Sequence, residues 1–159
     1  MSYRNKSTAE IAKSIRADIK AAIKAGKLPK GIKVSTRIHC YAGGSSIRVE
    51  VTELPDGFPV VSRERFAYLR ANPRETLFSL PYELRERESP EGLAVLATLN
   101  AIVDVYHWDE SDISADYFHC NFHRRISISD DLAGADEKRL REAAEAAPPP
   151  HSPAIVIAK

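Results

Sequence analysis

Two His-Cys dipeptides, His39-Cys40 and His119-Cys120, are the residues of this chain whose types come nearest to a chemical site, because imidazole and thiolate together are what a structural zinc ion takes as ligands. Their setting argues against that chemistry. Each dipeptide lies in a stretch that alternates apolar and polar residues, so each His and its Cys point to opposite faces of a strand and the four groups do not converge. His119 and His123, four strand residues apart, are separated by roughly 13 Å on a straight strand, too far to share one ion. No metal and no cofactor is expected. Ser45 and Ser46 beside Gly43-Gly44 invite comparison with an exposed nucleophile, yet no strand-to-helix Gly-x-Ser-x-Gly elbow surrounds them, and a hairpin turn accounts for all four residues. The chain holds no P-loop and no Gly-x-Gly-x-x-Gly stretch. These observations assign no catalytic residue and predict a protein that is not an enzyme.

Charge is the other chemistry on offer. The net charge is +1, but residues 1–50 hold eleven Lys and Arg against three acids, a balance of +8, and residues 51–159 hold twelve against nineteen, a balance of −7. Such a split predicts a dipolar surface, which either provides a polyanion-binding end or lets two halves of the fold attract each other. The basic residues Lys13, Arg16, Lys20, Lys24 and Lys27 recur at helical spacing over roughly 80° of a helix surface. That ridge is either a solvated lysine face or a surface that tracks phosphates. Asp109, Glu110, Asp112 and Asp116 gather in one acidic segment, Trp108 to Asp116.

The elements that position these groups follow from periodicity. From Ile32 to Glu53 apolar and polar residues alternate on either side of Gly43-Gly44, which predicts a β-hairpin over 32–53. Ser7-Thr8-Ala9-Glu10 has the spacing of a capping box, and Ile11, Ile15, Ile19, Ala22 and Ile23 form one stripe, so a helix is expected over 8–25 with Gly26 as its stop. Ser62 caps a short helix that carries Phe66 and Leu69 inward, and a short charged helix is expected from Tyr82 to Glu88. Ser89-Pro90-Glu91 starts a helix over 90–106, apolar on most sides and expected to pack on the hairpin. Residues 117–128 alternate and predict a third strand, with Arg124 marking a bulge or a strand end. If that strand joins the hairpin, Lys33, Arg37, His39, Arg48, His119, Asn121, His123 and Arg125 share the exposed sheet face. A last helix is expected over 136–147. The predicted class is α+β: a small antiparallel sheet, hairpin 32–53 plus strand 117–128, packed on helices 8–25 and 90–106.

The 159 residues suit a single domain, 1–159, that buries roughly two-thirds of its unfolded surface, with 148–159 a Pro-rich C-terminal extension. No apolar run reaches the roughly 20 residues of a membrane span, and the N-terminus lacks the apolar core of a signal peptide. A cytoplasmic setting is expected, in which Cys40 and Cys120 are reduced and buried on the core side as small hydrophobes.

Three stretches in order, Ser-Thr-Ala-Glu-Ile-Ala-Lys-Ser-Ile-Arg at 7–16, Tyr-Ala-Gly-Gly-Ser-Ser-Ile-Arg-Val at 41–49 and Ser-Asp-Ile-Ser-Ala-Asp-Tyr-Phe-His-Cys-Asn-Phe-His at 111–123, resemble a large polyvalent protein-associated domain. The resemblance covers about Ser7 to Ser129. It implies a phage or conjugative-element context inside a bacterial host cell, where such domains accompany incoming DNA and are suspected of countering host defences; it carries over no catalytic residue. Two functions fit that context, the first being the one expected and the second its alternative. One is a non-enzymatic counter-defence inhibitor of the anti-CRISPR or anti-restriction kind, which binds a host defence protein or ribonucleoprotein complex through Asp109, Glu110, Asp112 and Asp116. The other is a nucleic-acid-binding accessory that uses Lys13, Arg16, Lys20, Lys24 and Lys27 with Arg37, Arg48 and Arg125 of the sheet face.

Overall fold

Ser7 and Glu10 cap each other: the Ser7 N–H donates to Glu10 Oε2 at 2.8 Å and the Glu10 N–H donates to Ser7 Oγ at 3.3 Å. Helix α1 (Thr8–Lys24) starts from that box and buries Ile11, Ala12, Ile15, Ile19 and Ala22. The computed structural model describes residues 6–76, 78–112, 114 and 119–147. Strands β1 (Lys33–Tyr41) and β2 (Gly44–Glu53) pair antiparallel around the two-residue turn Ala42-Gly43, where Gly43 takes φ +91°. One face of β2 carries Ile47, Val49 and Val51, all fully buried, and burial of each such side chain stabilises by about 2 kcal/mol. Helix α1 lies along this hairpin. Thr8 Oγ1 and Ser45 Oγ share a hydrogen bond of 2.8 Å near the tip, and Arg16 Nη2 donates to Thr36 O at 2.7 Å farther down.

The α+β class is as the sequence predicts, but the sheet is mixed. Strand β3 (His123–Ile128) pairs with β2 in parallel, in the order β1-β2-β3. The expected antiparallel third strand is corrected for a topological reason. Between β2 and β3 the chain runs through α2 (Arg63–Ala71), a 3-10 turn at Tyr82–Leu84 and α3 (Pro90–Asp104), and α3 packs on β3 and α1. A helix laid on the sheet returns the chain to the end at which β2 began, so the next strand runs the same way. Of the strand expected over 117–128, residues 119–122 precede β3, and 117–118 lie outside the described residues. Asn121 Nδ2 donates to Tyr106 O at 2.7 Å, and Asn121 Oδ1 accepts the Trp108 N–H at 3.1 Å, so the approach to β3 is tied to the segment after α3 rather than to the sheet. Arg124 stands at the start of β3 opposite Ile47 and pairs with Asp104 at the end of α3.

Other expectations are corrected in detail. Helix α3 buries one stripe, Gly92, Val95, Leu99 and Val103, while Leu93 and Val105 are exposed. Helix α2 buries no residue; Phe66 and Leu69 instead line a groove of about 410 Å³ shared with Arg141 and Glu145 of the last helix. That helix, α4 (Asp130–Ala146), begins six residues before the expected start, because Ser129 Oγ accepts the Leu132 N–H and Asp130 and Asp131 complement the first turn. The charged turn at Tyr82–Leu84 is shorter than the helix expected to Glu88. Both cysteines are free, but Cys40 is exposed and Cys120 half-exposed, so neither is the buried hydrophobe expected. Strand parity holds, yet β1 is an edge strand and its last residues, His39 to Tyr41, are all exposed. The extension 148–159 lies outside the described residues.

The loop before α2 is locked to α4 through one carboxylate. Asp136, 4% exposed, accepts the N–H groups of Val60 and Val61 at 2.8 and 2.9 Å, accepts from Arg63 Nη1 at 2.6 Å and pairs with Arg139. Burial on its own pushes this carboxyl up; the hydrogen bonds from Arg63, Val61 and Val60 and the Arg63 charge outweigh it and hold the pKa at about 2.

Candidate nucleic-acid interface

On the face of the sheet opposite the core, three arginines stand in one line. Arg37 of β1 is the register partner of Arg48 of β2, which is in turn the partner of Arg125 of β3, and all three are exposed. Adjacent strands lie about 4.8 Å apart, so side chains on neighbouring partners are close enough to interact directly. None of the three is in an ion pair among the described residues. The next line holds Ser35, half-buried Glu50 and Ser127, and Glu50 is the acid nearest the row by register. The line on the other side holds His39, Ser46 and His123. Lys33, at the far end of β1, is paired with Glu53 at 2.8 Å.

Helix α1 packs on the core side of the hairpin, so its basic ridge forms a separate surface from this face. Lys13, Lys20 and Lys24 are exposed on the helix, and Arg16 reaches the Thr36 carbonyl, one residue from Arg37. Arg16 therefore has a structural role that its place in a helical ridge did not announce. Lys27 is exposed but lies beyond the Ala25 cap of the helix, in a turn closed by its N–H on Ala22 O at 2.9 Å.

At the hairpin tip the same face carries rings. Tyr41 is 42% exposed, its ring centroid 6.3 Å from that of His123 with the planes within 22°, and 6.0 Å from that of His39 with a tilt of 33°. The end of the Tyr41 ring crosses Gly44: a Cβ on that glycine would meet the ring Cε2 at 3.2 Å. With Gly44 and Ser46 on the central strand, a tyrosine from β1 reaches across to a histidine on β3. Charge alone does not single out Tyr41 or Gly44 as site residues; strand parity, which sets Tyr41 on the same face as His39 and Arg37, is the signal that could have found the first. Of the residues expected on this face, His119 and Asn121 are corrected: both precede β3, and the Asn121 amide is spent on Tyr106 and Trp108.

The acidic segment is arranged differently. Asp109 Oδ1 accepts the Ser111 N–H at 2.8 Å, closing a turn over the next two residues, and Asp112 Oδ1 accepts the Ser114 N–H at 2.9 Å. Bonds from the Ser111 side chain and backbone lower the Asp109 pKa. Asp109, Glu110 and Asp112 are exposed; Asp116 lies outside the described residues. Cys120 Sγ is 3.9 Å from His123 Nδ1, and burial and the Asp109 charge push the thiol up, the opposite of what activates a nucleophile. Among the described residues no group of three or more His, Cys, Asp or Glu side chains is placed to hold a metal ion, and no helix is long and apolar enough to cross a membrane. Compared with known proteins, the chain matches no protein-family model, no curated protein and no solved structure.

Proposed function

We propose that this protein is a non-catalytic nucleic-acid-binding accessory, and that its contact surface is the outer sheet face, with the exposed Lys13, Lys20 and Lys24 of α1 as a second basic surface. One observation carries the reading: Arg37, Arg48 and Arg125 are aligned in register across all three strands. Like charges placed opposite one another on a sheet are destabilising, so the row costs the isolated fold free energy that a line of phosphates returns. Glu50 is half-buried and offsets only part of that charge. Arginine suits the task because its planar fork bonds phosphate oxygens in pairs. The mobile-element setting rests on the motif resemblance.

A second reading, a counter-defence inhibitor that binds a host protein or ribonucleoprotein through Asp109, Glu110 and Asp112 with Asp116, is favoured by the exposure of the three described carboxylates, two of which are held by backbone N–H groups. Charge reversal separates the two. Under the first reading, Arg37→Glu with Arg48→Glu and Arg125→Glu abolishes the electrophoretic shift of nucleic acid at low salt, and lysine at Asp109, Glu110 and Asp112 leaves it intact. The reverse pattern, with the acidic set alone abolishing capture of a host complex, establishes the second.

A further inference from the structure

We propose that the ring cluster at the hairpin tip is a base-stacking platform, so that the nucleic acid this face takes is single-stranded. The inference rests on the nucleic-acid reading above and narrows its substrate. Phosphates are offered by duplex and single strand alike, so the arginine row does not distinguish them. Base faces are offered only by an unpaired strand, because in a duplex each face is covered by the next base pair. Tyr41 and His123 present rings within 22° of parallel on the same sheet face as the row, His123 one register line away and Tyr41 two, with His39 beside them. That combination of cationic track and flat rings is what sequence-tolerant single-strand binding needs: the guanidinium groups hold the backbone while bases turn down onto the rings.

The arrangement is built rather than incidental. Tyr41 is a large, exposed aromatic at the end of an edge strand, a position where an apolar ring gains little from the core. Its placement depends on two small residues of the central strand. A side chain at Gly44 would have its Cβ 3.2 Å from ring atoms of Tyr41, so the ring would have to move, and Ser46 leaves room between His39 and His123, its neighbours on either side. Gly44 is not among the glycines with positive φ, so it is needed there for space and not for backbone conformation.

The test is fluorescence anisotropy of the full chain with a labelled single strand of about 12 nucleotides, the matching duplex, and an abasic strand of the same length. The unmodified protein is expected to prefer the single strand over the duplex by about tenfold or more, and Tyr41→Ala to lose about tenfold on the base-bearing strand with no loss on the abasic one. Tyr41→Phe, which keeps the ring, should bind like the unmodified protein and shows that the site folds. Equal affinity for duplex and single strand, or equal loss by Tyr41→Ala on abasic and base-bearing strands, overturns the stacking inference while leaving the arginine row in place. Absence of salt-dependent binding to all three probes overturns the function itself, a different and separately visible failure.

Discussion

Arg48 of the central strand stands directly opposite Arg125 of β3, in a parallel pairing that runs from Ser46 and His123 to Val51 and Ile128. The antiparallel neighbour Arg37 completes the line, so the residue at the centre has a like charge on both sides. Repulsion between such neighbours is a small term, a few tenths of a kcal/mol to about 1 per pair, but it has the same sign twice at Arg48.

That geometry predicts a trade between stability and binding. Arg48→Thr, which keeps a β-branched residue on an exposed strand face, should raise unfolding stability by about 0.5 kcal/mol and weaken nucleic-acid binding. Urea denaturation and anisotropy on the same preparation measure both. A variant that loses stability and retains affinity speaks against the row as a binding device.

The Asp136 lock makes acid stability predictable. Its folded pKa of about 2 lies below the ordinary 3.8, so its contribution is fully present above that ordinary value, declines as pH falls below it and is gone once pH is under about 2. The shift corresponds to about 2 kcal/mol. Asp136→Asn should flatten this part of the pH dependence. Asp136→Ala should cost about 3 kcal/mol at neutral pH, because the Val60 and Val61 N–H groups and the Arg63 guanidinium lose their common acceptor. Denaturation midpoints between about pH 2 and pH 7 check the sign.

Thr36 is buried on the core face of β1, and its hydroxyl has no partner among the described residues. Thr36→Val keeps the shape and the strand preference while removing that hydroxyl, and should stabilise by about 1 kcal/mol. A lowered midpoint in thermal unfolding would show that the hydroxyl is satisfied in solution.

The two thiols should separate in a labelling experiment. Cys40 is exposed, whereas Cys120 is half-buried with its pKa raised by burial and by the Asp109 charge. Mass spectrometry after brief exposure of the native protein to a thiol reagent should find one label, on Cys40. Equal labelling of both would mean that partial burial and the Asp109 charge do not protect the second thiol.

Much of the hairpin is readable because a period of two states which side chains share a face, and Arg37, Arg48 and Arg125 fall on one face on that ground. Parity does not state register or direction. The alignment of Arg48 with Arg125 depends on the crossover through α3, which sets where β3 enters the sheet, and no local pattern encodes it. Nor does parity state what covers a face: Cys40 shares the core side of β1, yet the end of that edge strand is exposed. Asp136 is invisible in the sequence for another reason. Its partners Val60, Val61 and Arg63 are remote along the chain, and an acid within a charged helix gives no sign that it is buried. The start of α4 is legible in Ser129-Asp130-Asp131, an N-cap followed by two acids, a signal that outweighs the later onset expected at residue 136.

If the arginine row neutralises phosphates, the salt dependence of binding must register it. Affinity for a single strand, measured from low to moderate salt, should fall linearly on a log–log plot. Replacing Arg37, Arg48 and Arg125 together by alanine should make the slope shallower by about 2, at about 0.7 for each phosphate no longer neutralised. A triple variant that binds with the unmodified slope and affinity would contradict the proposed interface, since the row would then touch no phosphate at all.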